Sequence, residues 1–287
     1  MRKIDFTVEC DELTVKEYLK KHLQISARSI IELKNTENGI TLNGNHVKVI
    51  EKLHRGDVLS VLVSEPVFID EKDIPFKILF QNENYIVFDK PINTTVYKSG
   101  KEENNINDTV INKYPSFVPR PFYRLDKNTS GTLLFAKNSL VMQGTNVNKT
   151  YFAICHGKVD QKGVISEPIA LQEGSVIKRC CREGGQEALT EFERIYFDGE
   201  NSLLKIKIHT GRTHQIRVHF SHIGHPLLGD DLYNGERDLI SRQALHCGIC
   251  NISNSAIKFN ETVASEFPSD FASAIKTKAA VKIGSFL

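Results

Sequence analysis

The sequence predicts an α+β fold, in which a large domain with a mixed, mostly antiparallel sheet follows a small α/β domain. Three observations support this prediction. Apolar residues recur at helical spacing between residues 13 and 23, whereas short strand-like runs separated by turns dominate from residue 78 to residue 249. A polar, proline-bearing stretch at residues 64–75 separates the two patterns. We therefore expect a small domain over residues 1–70 and a larger one over residues 71–287.

The small domain is expected to hold two helices and a few short strands. The helices cover residues 13–23 and 26–33, after which the apolar period changes from that of a helix to that of a strand. The predicted strands cover residues 40–42, 47–49 and 58–62, with a turn at Asn43 and Gly44 between the first two.

The larger domain is expected to begin with a hairpin, whose strands at residues 78–80 and 85–88 flank a polar turn. Residues 92–120 read as a long polar loop, and loops of this length in compact domains are usually functional or mobile. Later strands are predicted at residues 151–156, 188–196, 202–208 and 243–249.

The composition favours a globular protein without a membrane-spanning helix. The formal net charge of the 287 residues is only +2, so a nucleic-acid partner would have to be met by a local basic patch. No run approaches the ~20 consecutive apolar residues of a membrane helix, and the first residues do not resemble a secretory signal. With six cysteines scattered through apolar context, these features predict a cytoplasmic protein, and a monomer is the default expectation.

One acidic residue lies within a sharp polar turn. Residues 123–131 set Asp126 shortly before the apolar run at 132–136, and a carboxylate held there is a candidate nucleophile. In a pocket shielded from water, desolvation drives a carboxylate toward its neutral form unless a cation opposes the rise in pKa. The segment at residues 210–219 offers the cationic partner that such an acid needs.

Arg217 is expected on a helix, because Ile216, Phe220 and Ile223 share one face at i, i+4 and i+7 and would turn that face to the core. The planar fork of an arginine suits a buried pair with a carboxylate. From residue types alone, a structural ion pair or two solvated groups that never meet are open alternatives, since most Asp and Arg residues are exposed.

The order of these segments resembles the RluA-type family of RNA pseudouridine synthases. The resemblance spans residues 75–270 and rests on the segments at 85–91, 124–131, 149–151, 211–219, 222–230 and 244–246. The N-terminal domain resembles the small RNA-binding domain that a ribosomal small-subunit protein, tyrosyl-tRNA synthetases and many RNA-modifying enzymes share.

This resemblance implies isomerisation of uridine to pseudouridine in structured ribosomal or transfer RNA, without a cofactor. Asp126 matches the essential aspartate of the family, and the sequence leaves open whether it attacks the sugar or removes a ribose proton. Arg217 matches the arginine that pairs with it. Tyr151 matches the tyrosine that packs against the target base and assists late proton removal from carbon 5, although a half-buried strand tyrosine is the alternative.

Further residues are expected to contact RNA. Arg124 resembles a family arginine that enters the stack vacated by the flipped nucleotide. Arg212, Thr213 and His214 are expected to begin the helix of Arg217 and to hold a phosphate there, unless this is an ordinary helix start. In the small domain, the expected basic face consists of Lys16, Lys20, Lys21 and Arg28, and a solvated mixed surface is the alternative.

Two departures from the family pattern are visible: Tyr123 stands where many members have histidine, and the segment at residues 138–148 is shorter than usual. Two other functions fit parts of the sequence, namely a noncatalytic RNA-binding or ribosome-assembly factor and a metal-dependent hydrolase. No metal site is expected, because Cys247 and Cys250 form a single Cys-x-x-Cys motif without a second pair of ligands at the required spacing.

Overall fold

The computed structural model describes residues 2–23, 25, 27–63, 74–98, 105–114, 117–138 and 140–275. The chain divides into two compact units. The first comprises Met1–Asp70, Val110–Arg120 and Lys137–Gln143, and the second comprises Glu71–Thr109, Pro121–Ala136 and Gly144–Leu287. The predicted domain boundary after residue 70 falls within residues 64–73, which lie outside the described residues, and it stays a prediction.

The N-terminal part of the chain forms a four-stranded antiparallel sheet with two helices. Its elements are β1 (Arg2–Thr7), α1 (Val15–Lys21), α2 (Ala27–Asn35), β2 (Ile40–Leu42), β3 (Asn45–His46) and β4 (Val58–Val63), with strand order β1-β4-β2-β3. Both predicted helices are confirmed. Strand β1 was not predicted, because Arg2, Lys3 and Asp5 interrupt its apolar pattern, and β3 lies a few residues earlier than the predicted strand at 47–49.

Helix α1 begins where local hydrogen bonding predicts a helix start. The Thr14 side chain accepts from the Glu17 N–H at 3.3 Å, and the Glu17 carboxylate accepts from the Thr14 N–H at 3.0 Å. Behind this capping box, Val15 and Leu19 are fully buried in the small core. Burying such side chains stabilises the module by roughly 1.5–3 kcal/mol each.

The rest of the chain is dominated by strands. Its elements are β5 (Lys77–Gln81), β6 (Tyr85–Lys90), α3 (Ile106–Lys113), β7 (Arg120–Pro121), β8 (Ser130–Ala136), a 3₁₀ turn (Leu140–Met142), β9 (Thr145–His156), β10 (Lys162–Ile165), β11 (Ile169–Leu171), β12 (Arg179–Cys181), β13 (Thr190–Phe197), β14 (Asn201–Ile208), α4 (Gln215–His222), a second 3₁₀ turn (Asp231–Tyr233), β15 (Leu245–Asn254), β16 (Phe259–Ala264) and α5 (Ser269–Ser273). The main sheet runs β10-β13-β14-β9-β15-β8-β6-β5, with β16 beside β15.

The main sheet is mixed and mostly antiparallel, as the sequence predicts. Along its path only the β15–β8 pair is parallel, with His246 opposite Ser130 and Cys247 opposite Gly131. Strand β8 is buried along its whole length. Strands β8 and β15 are parallel and begin at the same end of the sheet. The turn that contains Asp126 precedes β8, so it lies at that end, beside the start of β15.

Three local expectations are corrected by the structure. The segment at residues 92–120 is not only loop, because α3 forms within it despite its polar composition. Helix α4 begins at Gln215 instead of Arg212, and His214 precedes it in the left-handed conformation. Ile223 is 38% exposed and ends the helix, so only Ile216 and Phe220 face the core as predicted.

All six cysteines are free thiols. Within the part of the chain that the structure describes, none of the helices combines the length and the apolar character that crossing a membrane requires.

Candidate active site

A cavity of about 530 Å³ opens beside the Asp126 turn. The three predicted catalytic residues line it, together with several cationic and aromatic side chains. Its polar and aromatic lining includes Tyr97, Tyr123, Arg124, Asp126, Lys149, Tyr151, Arg212, His214 and Arg217. A space of this size is sufficient for a flipped nucleotide base and its sugar.

Lys90 fixes the turn that carries Asp126. Its buried ammonium group donates to the backbone oxygens of Pro91, Lys127 and Thr129 at 2.8, 3.1 and 2.9 Å. The turn is closed by the Thr129 N–H, which donates to the Asp126 carbonyl at 3.0 Å. Burial lowers the pKa of Lys90 to about 7. Nothing in the sequence marked Lys90 except its place before Pro91 at the end of a strand.

Arg217 contacts two carboxylates of different exposure. Its Nη1 donates to Asp126 Oδ2 at 3.1 Å, while Nε and Nη2 form a bidentate pair with Asp230 at 2.7 and 2.8 Å. The Asp230 side chain is fully buried, whereas that of Asp126 is 28% exposed. Asp230 therefore holds the guanidinium group in place, and one remaining donor reaches Asp126 at the cavity.

The charge of Arg217 is secured by these partners. Burial alone lowers the pKa of Arg217, but its hydrogen bonds and charge interactions with Asp230 and Asp126 outweigh that effect and raise the pKa above its ordinary value. The contact between Asp126 and Arg217 is thus present as expected, while their catalytic roles stay predictions.

Asp230 was not predicted to have a role, although it lies inside a segment that resembles the family. The available signal was indirect. A buried arginine on a helix needs a counter-ion, and Asp126 cannot be the only one if it must also face a substrate.

Tyr151 projects from β9 into the cavity and is 5% exposed. Burial is the largest of the effects that raise the pKa of Tyr151 well above its ordinary value, so its hydroxyl is protonated in the absence of substrate. Cys247 lies directly across from Tyr151 in the β9–β15 pair. In the resting cavity Tyr151 can therefore pack against a base and donate a hydrogen bond.

Tyr123, which replaces the usual histidine, is tied to the sheet. Its hydroxyl donates to the Thr132 carbonyl at 2.9 Å, and Lys149 Nζ lies 4.4 Å from the centre of its ring. Lys149 also lines the cavity, where it adds a cation that was not predicted from the sequence.

The predicted RNA-contacting residues near the cavity divide into two groups. Arg124 and Thr213 are exposed, and Arg124 lines the cavity. Arg212 and His214 instead make internal contacts: Arg212 Nε donates to the Glu187 carbonyl at 2.8 Å, and His214 Nε2 lies 4.0 Å from Asp126 Oδ2. Phosphate binding at this position stays a prediction.

The expected basic face of the small domain is only partly described. Lys16, Lys20 and Lys21 are exposed on or beside α1, with Lys21 3.9 Å from Glu17. The Arg28 side chain lies outside the described part of the structure. RNA contact by this face stays a prediction.

The possible metal ligands named from the sequence do not converge. Among the residues that the structure describes, no group of three or more His, Cys, Asp or Glu side chains is arranged to hold a metal ion. His219 of α4 contacts Thr190 Oγ1 and the Glu167 carbonyl, each at 2.9 Å. Cys247 and Cys250 are buried within β15.

Solved structures define the class of fold. The structure of the human protein RNA Pseudouridylate Synthase Domain Containing 1 superimposes with a TM-score of 0.60 at 22% identity, covering 74% of this chain and 93% of that one. That of human RNA Pseudouridylate Synthase Domain Containing 4 gives a TM-score of 0.53 at 23% identity, over 69% and 90% of the two chains. The main domain therefore has the pseudouridine synthase fold.

Sequence comparisons extend the result from fold to family. Residues 84–222 match the family described as RNA pseudouridylate synthase. The chain is 33% identical over 282 residues to the uncharacterized RNA pseudouridine synthase YjbO of Bacillus subtilis, covering 92% of this chain and 99% of that protein. It is 30% identical over 224 residues to ribosomal large subunit pseudouridine synthase D of Yersinia pestis, covering 73% and 69%. A mitochondrial tRNA pseudouridine(32) synthase of Saccharomyces cerevisiae is 32% identical over 215 residues, covering 70% and 46%.

The chain belongs to the RluA-type family of RNA pseudouridine synthases, enzymes that isomerise uridine to pseudouridine in RNA. This membership favours the enzyme over the noncatalytic RNA-binding factor and over the metal-dependent hydrolase.

Proposed function

We propose that this protein isomerises particular uridines in ribosomal or transfer RNA, with Asp126 as the residue that acts on the target nucleotide. The observation that carries the proposal is the position of Asp126, which is partly exposed in the cavity and paired with Arg217 at 3.1 Å. Relatives whose names specify ribosomal and transfer RNA support this choice of substrates.

The reaction requires a group that acts on the sugar. The bond from N1 of uracil to the ribose breaks, the base rotates, and a bond from C5 to the same ribose carbon forms while C5 loses a proton and N1 gains one. Product and substrate contain the same atoms, so no oxidant or reductant is consumed. Asp126 serves this reaction only as a carboxylate, whether it attacks C1′ or removes a ribose proton, and Arg217 is its cationic partner at 3.1 Å.

Tyr151 and Arg124 have separate roles in the proposal. Tyr151 packs against the detached uracil and guides its rotation, and it assists the late loss of the C5 proton. Arg124, exposed at the cavity, occupies the stack that the flipped nucleotide leaves. Extruding a nucleotide costs a few kcal/mol and is easier from a loop than from a duplex, which favours structured loops as substrates.

The N-terminal unit is proposed to strengthen RNA binding without taking part in the chemistry. Exposed Lys16, Lys20 and Lys21 are suited to phosphate contacts, which contribute affinity that weakens with added salt. Cytoplasmic localisation and action without a cofactor belong to the same proposal.

The decisive variant is Asp126→Asn, which keeps the shape of the side chain and removes its charge. We expect it to abolish pseudouridine formation while RNA affinity is largely retained, because the carboxylate acts on the sugar after the RNA has bound. The measurement is pseudouridine mapping of total ribosomal and transfer RNA from cells that carry each variant in place of the natural protein.

A matched control is Asp160→Asn, which neutralises an exposed carboxylate that is not among the cavity-lining residues. It is expected to leave the modification pattern unchanged. Undiminished pseudouridine in the Asp126→Asn cells would refute the proposed role of Asp126, and the uridines lost from the map would identify the RNA substrate.

A further inference from the structure

A line of polar contacts leads from β12 to Asp126 and was not anticipated from the sequence. The Arg179 N–H donates to the Tyr233 hydroxyl oxygen at 2.9 Å, and that hydroxyl lies 2.9 Å from His214 Nδ1. His214 Nε2 then lies 4.0 Å from Asp126 Oδ2. Tyr233 is 3% exposed and the His214 side chain 16% exposed, so solvent competes little for these contacts.

The donors in this line fix the position of the imidazole proton. A backbone N–H can only donate, so the Tyr233 oxygen accepts from Arg179. If His214 Nδ1 also carried a proton, the Tyr233 oxygen would accept twice and its own proton would lack an acceptor among the described contacts. The Tyr233 hydroxyl therefore donates to Nδ1, and the proton of a neutral His214 is on Nε2, the nitrogen nearer Asp126.

The electrostatic surroundings keep this imidazole neutral. Burial lowers the pKa of His214 below its ordinary value, and Arg217 and Arg179 act in the same direction. Asp126 and Asp230 oppose the effect without reversing it.

His214 also has an unusual backbone conformation. With φ of 58°, it occupies the left-handed region just before α4, and its side chain makes no capping hydrogen bond to that helix. Residues other than glycine adopt this region rarely and often at functional sites. Here the conformation accompanies a side chain that contacts Tyr233 and faces Asp126 instead of capping the helix.

Residues 230–233, the segment that contains Tyr233, also contact Arg217, the second side chain that approaches Asp126. Asp230 holds Arg217, and the Tyr233 ring lies 5.1 Å from the Arg217 guanidinium carbon. Arg217 and His214 both approach Oδ2 of Asp126, and no hydrogen bond to Oδ1 is present among the described contacts. Oδ1 is thus the oxygen left for the substrate.

We propose that His214, in the tautomer set by Tyr233, is a positioning residue that joins Arg217 in orienting Asp126 so that Oδ1 faces the ribose. This inference rests on the proposed function, because it assumes that Asp126 acts on the target nucleotide. It assigns His214 to the carboxylate, in place of the phosphate contact expected from the sequence.

The first test compares His214→Ala, His214→Gln and Tyr233→Phe in single-turnover pseudouridine formation on an RNA that the natural enzyme modifies. Misplacing a reacting group by about 1 Å can lower a rate by about 100-fold. We expect His214→Ala and Tyr233→Phe to lower the rate about 10- to 100-fold with unchanged RNA affinity. His214→Gln is expected to recover most of the rate, because its amide can place an N–H near the position of Nε2.

Two controls separate positioning from loss of stability. Tyr85→Phe removes another buried hydroxyl, which contacts Thr145 Oγ1 at 2.7 Å away from the cavity. His219→Gln replaces a buried histidine on the same helix as Arg217. Both are expected to lower the melting temperature without lowering the rate per folded enzyme.

The second test reads the tautomer directly. Long-range ¹H–¹⁵N spectra of the full-length protein at neutral pH, assigned with the His214→Gln variant, should show His214 protonated on Nε2 only. In Tyr233→Phe the preference for this tautomer should weaken. A proton on Nδ1 in the natural protein would overturn the proposal, as would natural single-turnover rates in His214→Ala and Tyr233→Phe.

The two levels of inference fail in different ways. Activity in Asp126→Asn would remove the proposed function and this inference together. An inactive Asp126→Asn beside a fully active His214→Ala would overturn only the positioning role.

Discussion

Arg217 is held between a buried and a partly exposed carboxylate, and these two contacts have different consequences. Asp230 is inaccessible to solvent, and Arg217 is its charge partner among the described ion pairs. Asp126 keeps 28% of its side-chain surface exposed and can be solvated. Loss of Arg217 would therefore leave the buried Asp230 carboxylate without its partner, whereas the pair with Asp126 lies at the cavity.

Replacing Arg217 tests the different consequences of its contacts with Asp230 and Asp126. We expect Arg217→Ala to lower the free energy of unfolding by about 3–5 kcal/mol, because a buried carboxylate loses its partner. It should also reduce activity. Urea unfolding followed by circular dichroism measures the first effect, and pseudouridine formation measures the second.

The control is the double variant Arg217→Ala/Asp230→Asn, which removes the stranded charge. It should recover part of the lost stability while staying impaired in catalysis. Equal melting of Arg217→Ala and the natural protein would show that the Asp230 pair contributes little to stability.

At the scale of elements, the site depends on the close approach of β8 and β15. Gly131 has φ of +114°, and a Cβ atom built on it would lie 2.2 Å from the Cys247 carbonyl oxygen. Neither the backbone conformation nor the space admits a side chain. Gly131, at the end of the polar turn, therefore allows β8 to pair in parallel with β15, next to the turn that carries Asp126.

Gly131→Ala is expected to destabilise the protein by several kcal/mol or to prevent folding, since a clash with a backbone atom of a central strand cannot be relieved by a rotamer change. Gly199→Ala is the matched control. Gly199 also has a positive φ, +103°, but nothing lies within 4 Å of the added Cβ. Its cost should be only about 1 kcal/mol, and similar midpoints of urea unfolding for the two variants would contradict this explanation.

At the scale of the whole molecule, His246 links strands and makes stability depend on pH. It is fully buried, its Nδ1 lies 2.9 Å from Ser130 Oγ, and its Nε2 lies 3.0 Å from the Ser265 carbonyl. The carbonyl can only accept, so Nε2 carries the proton of the neutral ring. Burial lowers the pKa of His246 to about 4.

The sign of the pH effect follows from this pKa. Between about pH 4 and pH 6.5 the unfolded chain binds a proton on His246 that the folded chain does not, so stability falls as the pH falls through this range. The contribution is on the order of 3 kcal/mol. Urea unfolding at several values between pH 4.5 and pH 7 should therefore show a weaker pH dependence for His246→Gln than for the natural protein.

Exposed His222 provides the control. The His222→Gln variant should retain the pH dependence of the natural protein, because it leaves His246 and its buried contacts with Ser130 and Ser265 unchanged. The same slope in the natural protein and in His246→Gln would show that other groups cause the effect.

Local patterns predicted many elements correctly but not all of their limits. The two N-terminal helices and strands such as β13 and β14 follow from apolar periodicity. Helix α3 was missed because its residues are mostly polar. The start of α4 was misplaced because the left-handed conformation of His214 depends on contacts outside the segment.

The sequence by itself determined the fold class, the order of the motifs and the family, because these depend on residue types and spacing along the chain. It also named Asp126, Tyr151 and Arg217 as neighbours. Only the tertiary structure decided how they are arranged, since Asp126 and Arg217 meet across 91 residues of sequence. Asp230, Tyr233 and Lys90 gain their roles from burial and from hydrogen-bond direction, two properties that exist only once the chain has folded.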